Sequence, residues 1–228
     1  MRRKWEEYLT LKDIEAIKAE TDKIESIVPQ INFGGSDWNV KYRTASKDDG
    51  RIVSTSADYM FSENWRLAKG RFLNALDLIH KTKVAVLGSE VAADLFGSDA
   101  DPLEKEVKIG GIRYTVVGVM EDKQFFDNDY NRRAMIPITT AQMRITGEDH
   151  VNFISVKAKR PEDVEDVADA MRRVYKRRHE HGDEFNIRTG LEELAEINKV
   201  LLIMKAVAGG IAGISLLVGG IGIMNIML

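Results

Sequence analysis

From Ala206 to Leu228 the chain reads AVAGGIAGISLLVGGIGIMNIML, without one charged side chain and with Asn225 as its only amide. A stretch this apolar has no stable place on a wet surface. At about 1.5 Å of rise per residue, a helix of this length reaches across the roughly 30 Å hydrocarbon core of a bilayer. The residues before it are of a different kind: charged side chains make up 30% of the whole chain. The sequence therefore predicts a folded, water-exposed head joined directly to a membrane helix.

The junction has its own signals. Thr189 followed by Glu192 is a capping box, and Leu191, Leu194, Ile197 and Leu201 then recur at helical spacing. No Gly or Pro falls between Leu191 and Ala208. One continuous helix is expected from Leu191 to Leu228, roughly 57 Å long. Its first part is amphipathic and its second lies in lipid, so it is a stiff rod able to carry motion between the two phases. Gly209 and Gly213, and again Ser215 and Gly219, are spaced for close helix packing in the membrane, in a segment with six glycines.

The head reads as α+β. Thr10 with Asp13 caps a helix whose Leu11, Ile14 and Ile17 share a face. Ile24 to Phe33 is extended, and its Pro29 suggests an edge strand or a bulge. Trp38, Val40 and Tyr42 alternate with polar residues as in a half-buried strand, and Arg51 to Thr55 is expected to be its partner. Ser56 is expected to cap a short helix through Phe61. Lys83 to Leu87 is a short strand, and Gly88 and Ser89 open a helix ending near the Phe96-Gly97 pair. Gly110-Gly111 joins EVKI to IRYTVVGV as a hairpin. Glu121 to Arg133 is polar loop, and Ala134 to Ile138 is a strand. Val151 to Lys159 is a strand, and Pro161 starts a helix with Val164, Val167, Ala168, Met171, Val174 and Tyr175 on one face. Glu184 to Thr189 completes a predicted strand–helix–strand unit with parallel strands.

Motifs that carry chemistry are weak. Asp127, Asp129 and Asn131 match the start of a calcium loop, but Arg132 and Ile138 stand where Gly and Glu are needed. His179-Glu180-His181 has the wrong spacing for a helical metal pair. Gly88-Ser89-Glu90 lacks a full nucleophile elbow, with Ser89 read as a helix cap, and no Walker-type nucleotide loop is present. The run from Arg172 to Arg178 is read as a solvated helix face rather than a lipid- or partner-binding patch. There is no cysteine, and a net charge of -3 gives no basic surplus for nucleic acid. No catalytic residue, cofactor or metal site is expected, and a hydrolase is the weakest class. MRRKWEEYLT is not followed by an apolar signal-peptide core. A head outside the cytoplasm then requires an earlier membrane segment, so the sequence is expected to be part of a longer protein.

Four strings together resemble the MacB-like, FtsX-type permeases of ABC transporters: YLTLKDIEAI (8–17), VAVLGSEVAADLFG (84–97), EVKIGGIRYTVVGV ending at Val119, and ISLLVGGIGIMNIML (214–228). The resemblance implies a porter-like α/β subdomain formed by 1–57 and 151–190, split by a mostly β, sabre-like insertion at 58–150. A stalk and truncated transmembrane helix would follow at 191–228. It implies an inner-membrane location with residues 1–190 extracytoplasmic or periplasmic. The implied partners are an ABC ATPase subunit or domain, a second permease copy in a homodimer, a periplasmic adaptor with an outer-membrane channel, and membrane lipid. The implied function is transmission of ATP-driven motion to export peptides, lipoproteins or small molecules, with the ATPase on a separate domain or chain. A lipoprotein-release or cell-wall-regulating permease uses the same mechanics. A membrane-anchored sensor is the rival from another class.

Overall fold

The computed structural model describes residues 9–34, 38–47, 50–97, 100–125, 128–179 and 185–227. The chain divides into two compact units, Met1–Asp183 and Glu184–Leu228.

In chain order the first unit contains β1 (Leu9–Thr10), α1 (Leu11–Glu20), β2 (Ile24–Phe33), β3 (Val40–Tyr42), β4 (Ala45–Lys47), β5 (Arg51–Thr55), α2 (Tyr59–Ser62), β6 (Leu67–Gly70), α3 (Ala75–Ile79), β7 (Val84–Leu87) and α4 (Ser89–Phe96). There follow β8 (Glu106–Ile109), β9 (Ile112–Met120), β10 (Gln124–Phe125), β11 (Asn128–Asp129), β12 (Arg133–Pro137), α5 (Ile138–Ala141), β13 (His150–Val151), β14 (Phe153–Ala158) and α6 (Val164–Arg178). A π-helical turn, Gln142–Thr146, extends α5, and a 3-10 turn, Pro161–Asp163, leads into α6.

Ten strands form one mixed sheet in the order β14-β2-β5-β12-β7-β9-β8-β3-β4, with β6 paired to the far end of β9. β12 runs parallel to β5, and β7 runs parallel to β9; the remaining neighbours are antiparallel. Strands from either side of position 57/58 thus share one sheet. Alternation along each strand gives the sheet two faces. Ile52, Ala85, Leu87, Ala134 and Ile136 pack with Val91, Ala92 and Leu95 of α4 and Ala141 of α5. Val28, Val53, Val86 and Met135 pack with Tyr59, Trp65, Phe72 and Leu73. α1 packs on α6, and these two helices lie against β2 and β14.

The Gly110-Gly111 turn forms as expected, with both residues at positive φ, 53° and 85°. Several expectations fail. Arg51 to Thr55 does not pair with β3. β4 follows β3 after a two-residue turn with Arg43 at φ 52°, and it takes that local position instead. β5 is then free to lie between β2 and β12, which suits a strand with Ile52, Val53, Ser54 and Thr55 all buried.

Pro29 lies neither on an edge strand nor at a bulge, since β2 has neighbours on both sides. The Gln30 carbonyl accepts from the Asn152 N–H, so Pro29 turns its own polar side towards β5. There β5 ends at Thr55, whose hydroxyl donates to the Pro29 carbonyl at 3.1 Å. The ladder therefore loses nothing to the missing N–H.

Residues 185–189 form no strand; their alternating Phe185 and Ile187 mimic one, but Thr189 is used as a helix cap. The edge beside β2 is taken by β14, antiparallel, so a parallel strand–helix–strand unit is not formed. Val151 to Lys159 is broken at Asn152, whose side chain accepts from the Asn32 N–H at 3.0 Å. Ser56 is not a cap, because α2 begins after Asp58. The expected loop at 121–133 carries the small β10–β11 hairpin.

Candidate functional site

Two features stand out from the rest of the chain: an ion-paired seam in the head, and a long apolar helix with no buried residue among those described.

The seam joins α1 to α6. Asp13 is fully buried and accepts from the Thr10 N–H at 2.7 Å and the Thr10 hydroxyl at 3.0 Å. Its other oxygen takes Arg178 Nε at 2.6 Å and lies 3.2 Å from His179 Nε2. Burial alone would raise the Asp13 pKa. The Arg178 guanidinium and the two Thr10 donors outweigh it, and the carboxyl sits below its ordinary range. Glu20 accepts from Arg177 at 2.9 Å and Arg173 at 3.2 Å, which lower its pKa in that order. The basic run is therefore not simply a solvated face: Arg173, Arg177 and Arg178 fasten α6 to α1. The run and the acids are visible in the sequence but their meeting is not, since it joins positions 165 residues apart.

The weaker motifs find structural roles. The Asn131 side chain accepts from the Lys123 N–H at 2.8 Å and donates to Asp122, and Arg132 Nε pairs with Glu90 at 2.8 Å. Asp127 lies outside the described residues, as do Glu180 and His181. Ser89 is the first residue of α4 and not its cap, a place held by Gly88. Among the described residues no group of three or more His, Cys, Asp or Glu could hold a metal ion.

The second unit is one helix, α7 (Gly190–Met227), of 38 residues. Its start is fixed by the expected capping box: Glu192 accepts from the Thr189 N–H at 3.0 Å, and the Thr189 hydroxyl accepts from the Glu192 N–H at 3.2 Å. Gly190–Gly219 passes as a membrane span by length and composition, with a mean hydropathy of 2.1 in its best window and none of that window buried. Leu191, Leu194, Ile197 and Leu201 are 46%, 57%, 55% and 46% exposed. Ser215 keeps its hydroxyl satisfied by donating to the Ile211 carbonyl at 2.9 Å.

The helix separates the two small-residue pairs. At about 100° per residue, Ser215 and Gly219 fall on the face of Ile197 and Leu201, whereas Gly209 and Gly213 lie about a third of a turn away. Ala208 and Ala212 share the azimuth of Ile197, Leu201, Ser215 and Gly219, in steps of four, three and four, whereas Gly209, five turns on from Leu191, lies on the azimuth of that residue.

Comparison with known proteins fits this arrangement. The family model described as "MacB-like periplasmic core domain" matches residues 2–174. The macrolide export ATP-binding/permease protein MacB of Bdellovibrio bacteriovorus is 28% identical over 232 residues, covering 96% of this chain and 34% of that protein. The pyoverdine export ATP-binding/permease protein PvdT of Pseudomonas savastanoi pv. phaseolicola is 28% identical over 222 residues, covering 96% of this chain and 33% of that protein. The chain thus spans about a third of the length of these curated relatives. The crystal structure of the periplasmic region of MacB from Actinobacillus actinomycetemcomitans superposes with a TM-score of 0.65 at 21% identity, over 77% of each chain, and shares the fold. The head with its α+β sheet and the family match agree: the chain belongs to the MacB-like periplasmic core domain family.

Proposed function

We propose that this chain transmits ATP-driven motion across the membrane to power export, as part of a permease that works in pairs with an ABC ATPase on another domain or chain. The observation that carries the reading is α7, which runs from a water-compatible, charged first half into an apolar second half without a break. A helix with every i to i−4 hydrogen bond in place resists bending, and so passes displacement along its axis. In this reading Leu191, Leu194, Ile197 and Leu201 couple the stalk. Ser215 and Gly219, with Ala208 and Ala212, form the packing face in the membrane, and Gly209 and Gly213 offer a second contact. Residues 58–150 act as the sabre-like insertion, which meets a periplasmic adaptor with its outer-membrane channel. The relatives are named for macrolide and pyoverdine export, which favours this reading over lipoprotein release or a sensor role.

The test is to replace Ile197-Asn198 by Gly-Pro in the intact transporter. Proline in a helix interior costs about 3 kcal/mol and removes a ladder bond. ATP hydrolysis should persist while export falls to background. Export that continues at the unmodified rate, with the helix shown to be broken, would sink the rod mechanism.

A further inference from the structure

The face of the sheet that holds Tyr59, Trp65, Phe72 and Leu73 is only partly covered. Towards β14 it opens into a cavity of about 360 Å³, whose lining includes Gln30, Asn32, Arg51, Val53, Phe153 and Ser155. This lies in the size range of small-molecule sites. Three observations make it more than a dent. Gln30 is only 4% exposed, yet its side-chain amide makes no hydrogen bond to another described residue. That amide is not sealed in: its polar atoms are reached from the cavity, where a ligand can pair with them. Arg51 stands directly opposite Arg133 in the parallel β5–β12 register, a like-charge neighbour pair that a sheet ordinarily avoids. Arg133 is already engaged: its Nη1 donates to Tyr59 Oη at 2.6 Å and its guanidinium lies 4.0 Å from the Tyr130 ring centroid. The cavity's carboxylate is engaged too, since Glu63 Oε2 accepts from Tyr130 Oη at 2.7 Å. Arg51 has no such partner among the described residues.

We infer that this cavity binds a small carboxylate with an apolar body. Arg51 takes the carboxylate, a bidentate match for its fork of donors. Gln30 supplies an amide donor from the floor, with Asn32 and Ser155 beside it on β2 and β14. Phe153, 41% exposed, packs on the apolar part together with Val53. The same chemistry is offered by a free organic acid and by the C-terminus of a peptide.

The intact chain in phospholipid nanodiscs is titrated with N-acetyl-phenylalanine, N-acetyl-phenylalaninamide and N-acetyl-Ala-Ala-Phe, with binding read by ligand-detected NMR. The acid should saturate in the millimolar range and bind at least about tenfold more tightly than the amide, the effect of one charge-assisted contact. Arg51→Gln, at an exposed position that leaves the head folded, should bring the acid down to the amide's affinity. Gln30→Leu should weaken both acid and amide. Tighter binding of the tripeptide than of the single residue identifies peptide C-termini as the source, and equal or weaker binding identifies small acids. Equal binding of acid and amide, no saturation, or an unchanged affinity in Arg51→Gln would overturn the assignment.

Discussion

Asp13→Ala should cost the head about 3 kcal/mol, because one carboxylate serves as a helix cap and as the buried end of an ion pair. The cap accepts from Thr10, and the other oxygen holds Arg178 of α6. Removing it leaves Thr10 unsatisfied at the start of α1 and frees the C-terminal end of α6. For a unit of this size the melting temperature should drop by roughly 6–12 °C. Asp13→Asn separates the two roles, since an amide oxygen can still cap but carries no charge; it should lose about half as much. Acid gives the same information without mutation. A carboxyl held below its ordinary value stabilises the fold fully above the unfolded pKa of about 4, and that contribution fades as pH falls through the lower, folded value. The gap between the unmodified head and Asp13→Ala should therefore narrow below about pH 4. Scanning calorimetry at several pH values reads both effects; a gap that stays constant down to the lowest pH argues against the charge.

Gly118→Ala should be as damaging although it adds a single carbon. Gly118 lies opposite Gly70 on β6 and beside Val86 on β7, within the paired part of β9. A Cβ there would run into the Arg71 backbone carbonyl, with the Leu67 side chain also close. Arg71 cannot retreat: its N–H donates to the Val117 carbonyl at 2.9 Å, and its guanidinium grips Asp77 at 2.6 and 3.1 Å. Asp77 is itself held by the Asn74 N–H at 3.0 Å and the Thr82 hydroxyl at 2.9 Å. Overpacking against backbone that is pinned on both sides costs about 3 kcal/mol. Gly34→Ala, where nothing lies within 4 Å of the new carbon, is the matched control and should be near neutral. Chemical denaturation that finds Gly118→Ala as stable as Gly34→Ala would contradict this reading of β6 and β9.

Local features are readable in the sequence because their causes are local. The capping pairs Thr10 with Asp13 and Thr189 with Glu192, the Gly110-Gly111 turn, the apolar face of α6 and the length of α7 each depend on residues a few positions apart. Pairing is harder. Arg51–Thr55 points to β3 as the nearest strand, because nothing in ASK marks Ala45–Lys47 as the closer partner. The run FNIRT alternates like a strand, but no neighbour uses it. The spacing of Leu191 to Leu201 and of the small residues beyond them is local too, since each is counted along one continuous helix. The open cavity has no sequence signal at all: Gln30, Arg51 and Ser155 come together only when β14, β2 and β5 align.

The order of strands has a consequence for biogenesis. β2 is complete by Phe33, yet the strand that covers its outer edge is not reached until Phe153–Ala158. A chain emerging from the translocation channel N-terminus first must keep an unsatisfied row of backbone donors and acceptors exposed until β14 has followed it. Such an edge invites pairing with other nascent chains, and contacts so distant in sequence close slowly. Any protein that shares that compartment would meet this chain before its sheet is sealed.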